Sequence, residues 1–540
     1  MIPLLHRHFR KIFPFLVGIL LAFAGAYMIA YATRWGPWVK SDSVEYVEAA
    51  RNLAAGKGPV LVRASGKVVP MYLRPPLYSL VLAGLLTLGL DEIEAGRFLA
   101  ISLFFCLILL PSALSQHVEH RYALPLGIAV YILTLPNLVG ASTGLMSESL
   151  FMLLSLLAIS LAVGSLFYRR RALLPLAAAL AGLAMLTRFA GIACLLVVAL
   201  VPFLENQVRL GRRIIRAMSV ALIGALPFAV WTLSVRAAGY SPGVYALPSE
   251  TLWDALRPVR GAYVDMLWEW LPLRLLIPID TYRLKAAFLL LLCAILAWVA
   301  ARLFLRVKRY SGSIDSQTFV SITGLLLLLF AVAHALVVLI SFLVVEFPKP
   351  ALNQRVLLPS QITFTIGLIF ILYSSVKPLR IPIVRLALPL AFILPSIWTG
   401  WPSTWEYVRQ LNAEGGGYTS RSWQQSPIVE VMKGLSPSLS IVSNDPDAVV
   451  FYAQRPAFQI PELEDGRLPS KWVPFGDKPQ SEPEMLFAQD RAALVLFSQG
   501  RHQFSRLYGE NTPERLRLLL EGLEILYEAS DGGIYFSPNP

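Results

Sequence analysis

Long apolar runs alternate with short basic loops along this chain, and the pattern changes character once, near residue 400. Eleven stretches approach the roughly 18–20 apolar residues that cross a bilayer. They are residues 13–32, 97–113, 123–140, 148–167, 173–188, 189–204, 214–235, 284–304, 318–345, 354–375 and 381–399. A further run, "PPLYSLVLAGLLTLGL" (residues 75–90), has a shorter apolar core and is read as a helix lying at the interface. The start, "HRHFRKIFPFLVGILLAFAGAYMIAYA", joins a basic head to an apolar core longer than that of a cleaved signal peptide. It is read as an uncleaved first span.

Loop charge sets the expected orientation. With Arg7, Arg10 and Lys11 in the cytoplasm and residues 75–90 not spanning, the loops "SQHVEHR", "FYRRRA", "ENQVRLGRR", "RVKRYSGS" and "VKPLR" all fall inside. These are the most basic short loops, as the positive-inside rule requires. Residues 33–96 then form a long first outer loop. Further outer loops fall at 141–147, 236–283 and "EFPKPALNQRVLLPS", and the tail is outside as well.

The tail is a different material. From residue 401 onward it holds 12 basic and 18 acidic residues, against a net charge of +13 for the whole chain. "SLSIVSNDPDAVVFYAQRPAFQIPEL" reads as strand, turn, short helix and strand, and "RAALVLFSQ" as a buried strand. "PERLRLLLEGLEILYEA" has helical periodicity throughout. The expectation is a transmembrane domain over 1–399 and an extracytoplasmic α/β domain over 400–540.

Composition agrees. The 540 residues are 56% hydrophobic and 15% charged, with a mean hydropathy of +0.60. A soluble domain carries about a quarter charged residues, so this is a polytopic α-helical membrane protein. Its basic residues gather in loops between apolar runs, which excludes reading the net charge as a nucleic-acid signal. Cys106, Cys194 and Cys293 all lie within apolar runs and imply no disulfide framework.

Ionisable residues at the outer ends of spans are the candidates for chemistry. In "SDSVEYVEAARNLAAGKGP" a helix follows the first span. Asp42 can cap its first turn or act as a base at the interface. Glu45 and Glu48 are expected to face water. In "MYLRPPLYS", Arg74 precedes two prolines, with Tyr72 just ahead of it. Its guanidinium can snorkel or hold a phosphate. Glu148, in "GLMSESLFMLL", opens a span, where it can complement the helix dipole or serve a site. Arg188 interrupts a long apolar stretch, at a cost of about 3 kcal/mol at mid-membrane unless paired or near an interface. It is therefore placed at an outer turn. Arg355, near Lys349, lies in the last outer loop. Three outer arginines, Arg74, Arg188 and Arg355, run against the general bias.

Weaker features are His117-Val-Glu-His120, which has metal-like spacing without a third ligand, and His334, expected to pack within its span. The Trp- and Tyr-rich segments read as interface belts. There is no Gly-rich phosphate loop, nucleophile elbow or HExxH motif.

Taken in order, these motifs resemble the GT-C membrane glycosyltransferases, in particular the protein O-mannosyltransferase and lipid A aminoarabinose transferase branch. They are Asp42 after the first span, "ARNLAAGKGP", Arg74 before "PPLY", "EAGRFLAISLF", Glu148 and "GLAMLTRFAG". "SNDPDAVVFYAQRPAFQIPE" is similar to tail segments of bacterial members. The resemblance implies a GT-C-like fold with about eleven spans and interfacial helices in the first outer loop. It implies Asp42 as catalytic base, Glu148 as a second acidic site residue, and Arg74, with Arg188, Arg355 and Tyr72, at the donor phosphate. Ser43 follows Asp42 where the mannosyltransferase branch has Glu, so mannosyl transfer to protein does not follow.

The activity implied is inverting transfer of a sugar from a polyprenyl-phosphate donor to a lipid, glycan or protein acceptor, at the outer face of the cytoplasmic membrane. No cofactor is required by the motifs, and a divalent metal is compatible with them. The readings from other classes are a transporter or lipid flippase with a periplasmic domain, and an inactive scaffold. A transporter favours broken or polar mid-membrane helices and inverted repeats, and the sequence offers few of the first and none of the second.

Overall fold

The structure is a computed structural model. It describes residues 2–114, 123–170, 172–205, 208–245, 251–271, 279–309, 316–347, 352–376, 382–460, 482–489, 491–498, 504–505 and 509–536. His117, His120 and Lys349 lie outside the described residues.

All eleven apolar stretches are helical. The first half of the chain runs α1 (Ile2–Ala32), α2 (Ser41–Ala54), β1 (Val60–Val62), β2 (Val68–Pro70), α3 (Leu77–Thr87) and α4 (Glu92–Leu114). There follow α5 (Ala123–Leu133), α6 (Pro136–Ser142), α7 (Glu148–Phe167), α8 (Leu173–Thr187), α9 (Ile192–Leu200) and α10 (Leu210–Ala237). The next elements are β3 (Val244–Tyr245), α11 (Leu252–Leu256), α12 (Arg260–Trp268), α13 (Tyr282–Arg309), α14 (Ser316–Val344), β4 (Val345–Phe347), α15 (Gln354–Val376) and α16 (Pro382–Glu414). Among the described residues, seven helices are long and apolar enough to cross a membrane: α1, α4, α7, α10, α13, α14 and α15. The chain is a multi-pass membrane protein.

The expected span 123–140 is two helices. Leu135 is extended (φ −88°, ψ 104°) because Pro136 follows it, and Pro136 then opens α6. Helix α3 has 11 residues. At 1.5 Å per residue that is about 16 Å, half a bilayer core, as its short apolar core predicts.

Packing divides the chain into two compact units. The first comprises Met1–Arg34, Tyr72–Tyr78 and Gly96–Asn412. Its helices approach closely where side chains vanish. A Cβ on Gly182 of α8 would sit 2.4 Å from the Gly224 carbonyl of α10, and one on Gly367 of α15 would sit 2.9 Å from the Gly324 carbonyl of α14. Small residues at such crossings let apolar helices gain dispersion contacts that lipid cannot match. Leu222 and Leu226 of α10 and Leu290 of α13 remain exposed, as lipid-facing positions should be.

The second unit comprises Trp35–Met71, Ser79–Ala95 and Ala413–Pro540. It contains α17 (Arg421–Gln424), α18 (Pro427–Lys433), β5 (Ser440–Ser443), α19 (Pro446–Ala453), β6 (Ala457–Gln459) and α20 (Glu482–Ala488). It ends with β7 (Ala492–Phe497), α21 (Thr512–Leu520), β8 (Glu524–Ala529) and β9 (Gly532–Phe536). The sheet order is β6-β5-β7-β9-β8. β5 is parallel to both β6 and β7, and β9 is antiparallel to β7 and β8.

Period-two alternation fills both faces of this sheet. Ile441, Ala493, Val495, Phe497 and Ile534 join one core with α18 and α19. Val442, Ala492, Leu494, Leu496 and Tyr535 join the other with Phe487 and Leu519. A strand covered on both sides reads as a continuous apolar run, which is why "RAALVLFSQ" was legible. One expectation fails. The helix predicted through "PERLRLLLEGLEILYEA" ends at Leu520, and Glu524–Ala529 is strand β8. Gly522, at φ +83°, turns the chain, and β8 then pairs with β9, so tertiary pairing overrides helical periodicity.

Candidate active site

Three of the residues singled out in the sequence meet in the first unit. Glu148 lies in the first turn of α7 and is 1% exposed. Arg188 occupies the break between α8 and the next helical turn, with extended backbone (φ −150°, ψ 139°). That break puts its side chain at a helix end, as its cost in mid-membrane demands. Arg355 is the second residue of α15. Arg188 Nη1 stands 2.9 Å from Glu148 Oε1, and Arg355 Nε stands 3.3 Å from the same oxygen. Arg188 Nη1 also donates to Ser147 Oγ at 3.3 Å.

One buried carboxylate thus serves two guanidiniums. Desolvating a charge alone costs several kcal/mol, and pairing is what makes the burial tolerable. Two positive charges against one negative leave the cluster with a net charge of about +1, and both guanidiniums keep partial exposure (23% and 32%). The arrangement can hold an anion with planar, bidentate donors.

One turn beyond Glu148, Phe151 packs on His334, ring centroids 5.5 Å apart. His334 is 1% exposed, and its Nδ1 lies 2.7 Å from Ser360 Oγ of α15. It packs within its span as expected, and Ser360 is a partner that the sequence did not announce.

The Tyr72 ring lies 5.1 Å from that of Tyr240, tilted by 31°, and joins the cluster of Leu186, Trp231 and Val235. Arg74, half-buried, lies in the same short stretch, Tyr72–Tyr78.

Asp42 is in the second unit, half-buried in the first turn of α2. Its helix is anchored at the far end. Arg51 Nε donates to Glu92 Oε1 at 2.6 Å, and its Nη1 and Nη2 donate to the Val450 and Phe451 carbonyls at 3.1 and 3.0 Å. Those carbonyls belong to the last turn of α19, which has no internal partners for them. Glu45 is half-buried as well. Glu48 does not face water. It accepts the Val62 N–H at 2.6 Å, pinning β1 to α2. Burial raises its pKa above the ordinary value, against the lowering effect of that hydrogen bond and of Arg63 and Arg51. Sequence periodicity missed both anchors because their partners are distant in sequence or are main-chain groups.

Among the described residues, no group of three or more His, Cys, Asp or Glu gathers as a metal site would require.

No family model matches the chain, and no curated protein does. Solved structures do. The oligosaccharyltransferase of Archaeoglobus fulgidus, in complex with zinc and sulfate, is 11% identical and matches over 96% of this chain and 73% of its own, with a TM-score of 0.50. ArnT from Cupriavidus metallidurans, bound to undecaprenyl phosphate, is 13% identical over 96% of this chain and 97% of its own, with a TM-score of 0.46. Its apo form gives 14% and 0.44. The fold is similar to that of the archaeal oligosaccharyltransferase.

Proposed function

We propose that the protein is an inverting glycosyltransferase that moves a sugar from a polyprenyl-phosphate donor to an extracytoplasmic lipid, glycan or protein acceptor. The observation that carries this reading is the Glu148–Arg188–Arg355 cluster, a net cation built from the ends of three apolar elements in a GT-C fold. A charge cluster of this kind at the end of membrane helices is costly to keep unless it serves a ligand.

In this reading Arg188 and Arg355, joined by Arg74, hold the donor phosphate and neutralise the charge that grows on it as the sugar leaves. Glu148 is a positioning residue that orients the two guanidiniums. Asp42 takes the proton from the acceptor hydroxyl as its oxygen attacks the anomeric carbon opposite the phosphate. The new glycosidic bond forms, the bond to phosphate oxygen breaks, and polyprenyl phosphate departs with the bonding electrons. Configuration at the anomeric carbon inverts.

The reading is tested by mass spectrometry of envelope glycolipids and glycoproteins from cells with and without the gene. Loss of one sugar-bearing species, restored by the wild-type chain and not by Asp42→Asn, is expected. An unchanged glycan profile together with lipid movement by the purified protein in liposomes would overturn it in favour of a flippase.

A further inference from the structure

The second unit contains a pocket of about 430 Å³ that the transfer chemistry above does not use. Its polar lining includes Lys40, Ser41, Tyr418, Asp445, Asp447 and Gln459, together with Asn444. It opens at the carboxyl end of β5. From β5 the chain passes through α19 to β6 on one side, and later returns to β7 on the other. Neighbouring loops diverge at such a switch point, and open α/β sheets bind ligands in the crevice so formed.

The pocket is held open by contacts that fix its walls. Asn444 is fully buried, and its side chain both donates to the Phe497 carbonyl and accepts the Phe497 N–H, each at 2.9 Å. The ends of β5 and β7 therefore move together. The Tyr418 N–H donates to the Val39 carbonyl at 2.9 Å. Gly417, at φ +58°, allows that approach, since a Cβ there would collide with Val39. Tyr418 Oη donates to Asp445 Oδ1 at 2.6 Å, and Asp445 caps α19. Burial pushes the Asp445 carboxyl above its ordinary value, partly offset by these two bonds.

The lining narrows the ligand. Two carboxylates repel an anion. A metal cation meets only two carboxylates, one of them already engaged by Tyr418, with the Lys40 ammonium beside them. An apolar ligand would take these charges and the amide out of water with nothing to replace it. What remains is a neutral molecule rich in hydroxyls, which can accept from Lys40 and the Gln459 amide and donate to Asp447. The volume lies in the range of about 300–1,000 Å³ usual for small-ligand sites, and the Tyr418 and Trp423 rings can meet a sugar's C–H groups.

We propose that this pocket binds one residue of a neutral saccharide. Ser41, which lines it, directly precedes Asp42. That the sugar belongs to the acceptor rests on the glycosyl-transfer reading; that a sugar binds does not.

The test uses the full chain in lipid nanodiscs, free of maltoside detergents, whose headgroups are themselves sugars. Saturation-transfer NMR is run with mannose, galactose, N-acetylglucosamine and arabinose as separate probes. At least one should bind in the millimolar range. Asp447→Asn, Asp447→Ala and Gln459→Ala should each weaken it about tenfold, as loss of one hydrogen bond to a charged or amide group does, with the melting temperature unchanged. Binding without any transfer activity would leave this site standing and remove the transferase reading. No binding of any of the four sugars would overturn the proposal. So would binding indifferent to all three substitutions, or calcium binding at these residues in place of sugar.

Discussion

Glu148 and Asp42 both stand in the first turn of a helix, yet their surroundings differ sharply. Glu148 is 1% exposed and faces two guanidiniums. Asp42 is half-buried at the amino end of a helix anchored elsewhere. The Glu148 carboxylate already engages two guanidiniums, which suits it to the positioning role proposed above. A carboxylate at a half-exposed helix end can reach a substrate hydroxyl. In the proposed reaction the two acids therefore do different work, although they look alike in sequence.

The largest effect that would break this comparison is on turnover. Asp42→Asn should lower sugar transfer by about 10²–10⁴-fold while thermal unfolding stays unchanged; near-normal transfer would remove Asp42 as the base. Next comes Glu148→Ala, which should cost about 3 kcal/mol of stability by leaving two guanidiniums facing each other, read as a lowered melting temperature. If Glu148 were the base instead, its loss would abolish transfer without destabilising the protein.

Arg51→Ala should cost about 2 kcal/mol, since it removes charge-assisted hydrogen bonds to Glu92 and to two main-chain carbonyls. Hydrogen exchange should rise in α2 and α19 and not in α7. Arg188→Lys keeps the charge and loses the planar fork. About tenfold weaker donor affinity, with folding intact, is expected from binding measurements.

The smallest effect concerns pH. Folding raises the Glu48 pKa, so the folded chain holds that proton more tightly than the unfolded one. The stability this group contributes is present below the ordinary glutamate range and is lost as pH rises through the folded value. Glu48→Gln can still accept the Val62 N–H, so its melting temperature should match or exceed wild type at pH 8 and lose that pH slope.

Much of this was legible in the chain. The apolar runs marked every helix that reaches membrane length. Arg188 betrayed a helix break because an unpaired guanidinium is costly in mid-membrane, and the helix breaks where the sequence placed it. "SLSIVSNDPDAVVFYAQRPAFQIPEL" announced β5, the turn, α19 and β6 through local turn chemistry, and the structure adds that Asp445 caps α19. Glu48 and β8 were misread for one reason. Each has its place set by pairing with another segment, Val62 in one case and β9 in the other, and periodicity carries no record of that.

The sequence by itself determined which apolar segments are helical, where Arg188 breaks them, and where the acidic tail begins. Hydropathy, charge cost and turn propensity act over a few residues and need no knowledge of the fold. Only the tertiary structure decided that residues 35–71 group with 413–540, that Arg51 closes the end of a helix some 400 positions away, and that one carboxylate oxygen gathers two arginines. Those outcomes depend on desolvated charges and main-chain groups finding partners across long sequence distances, which only packing can arrange.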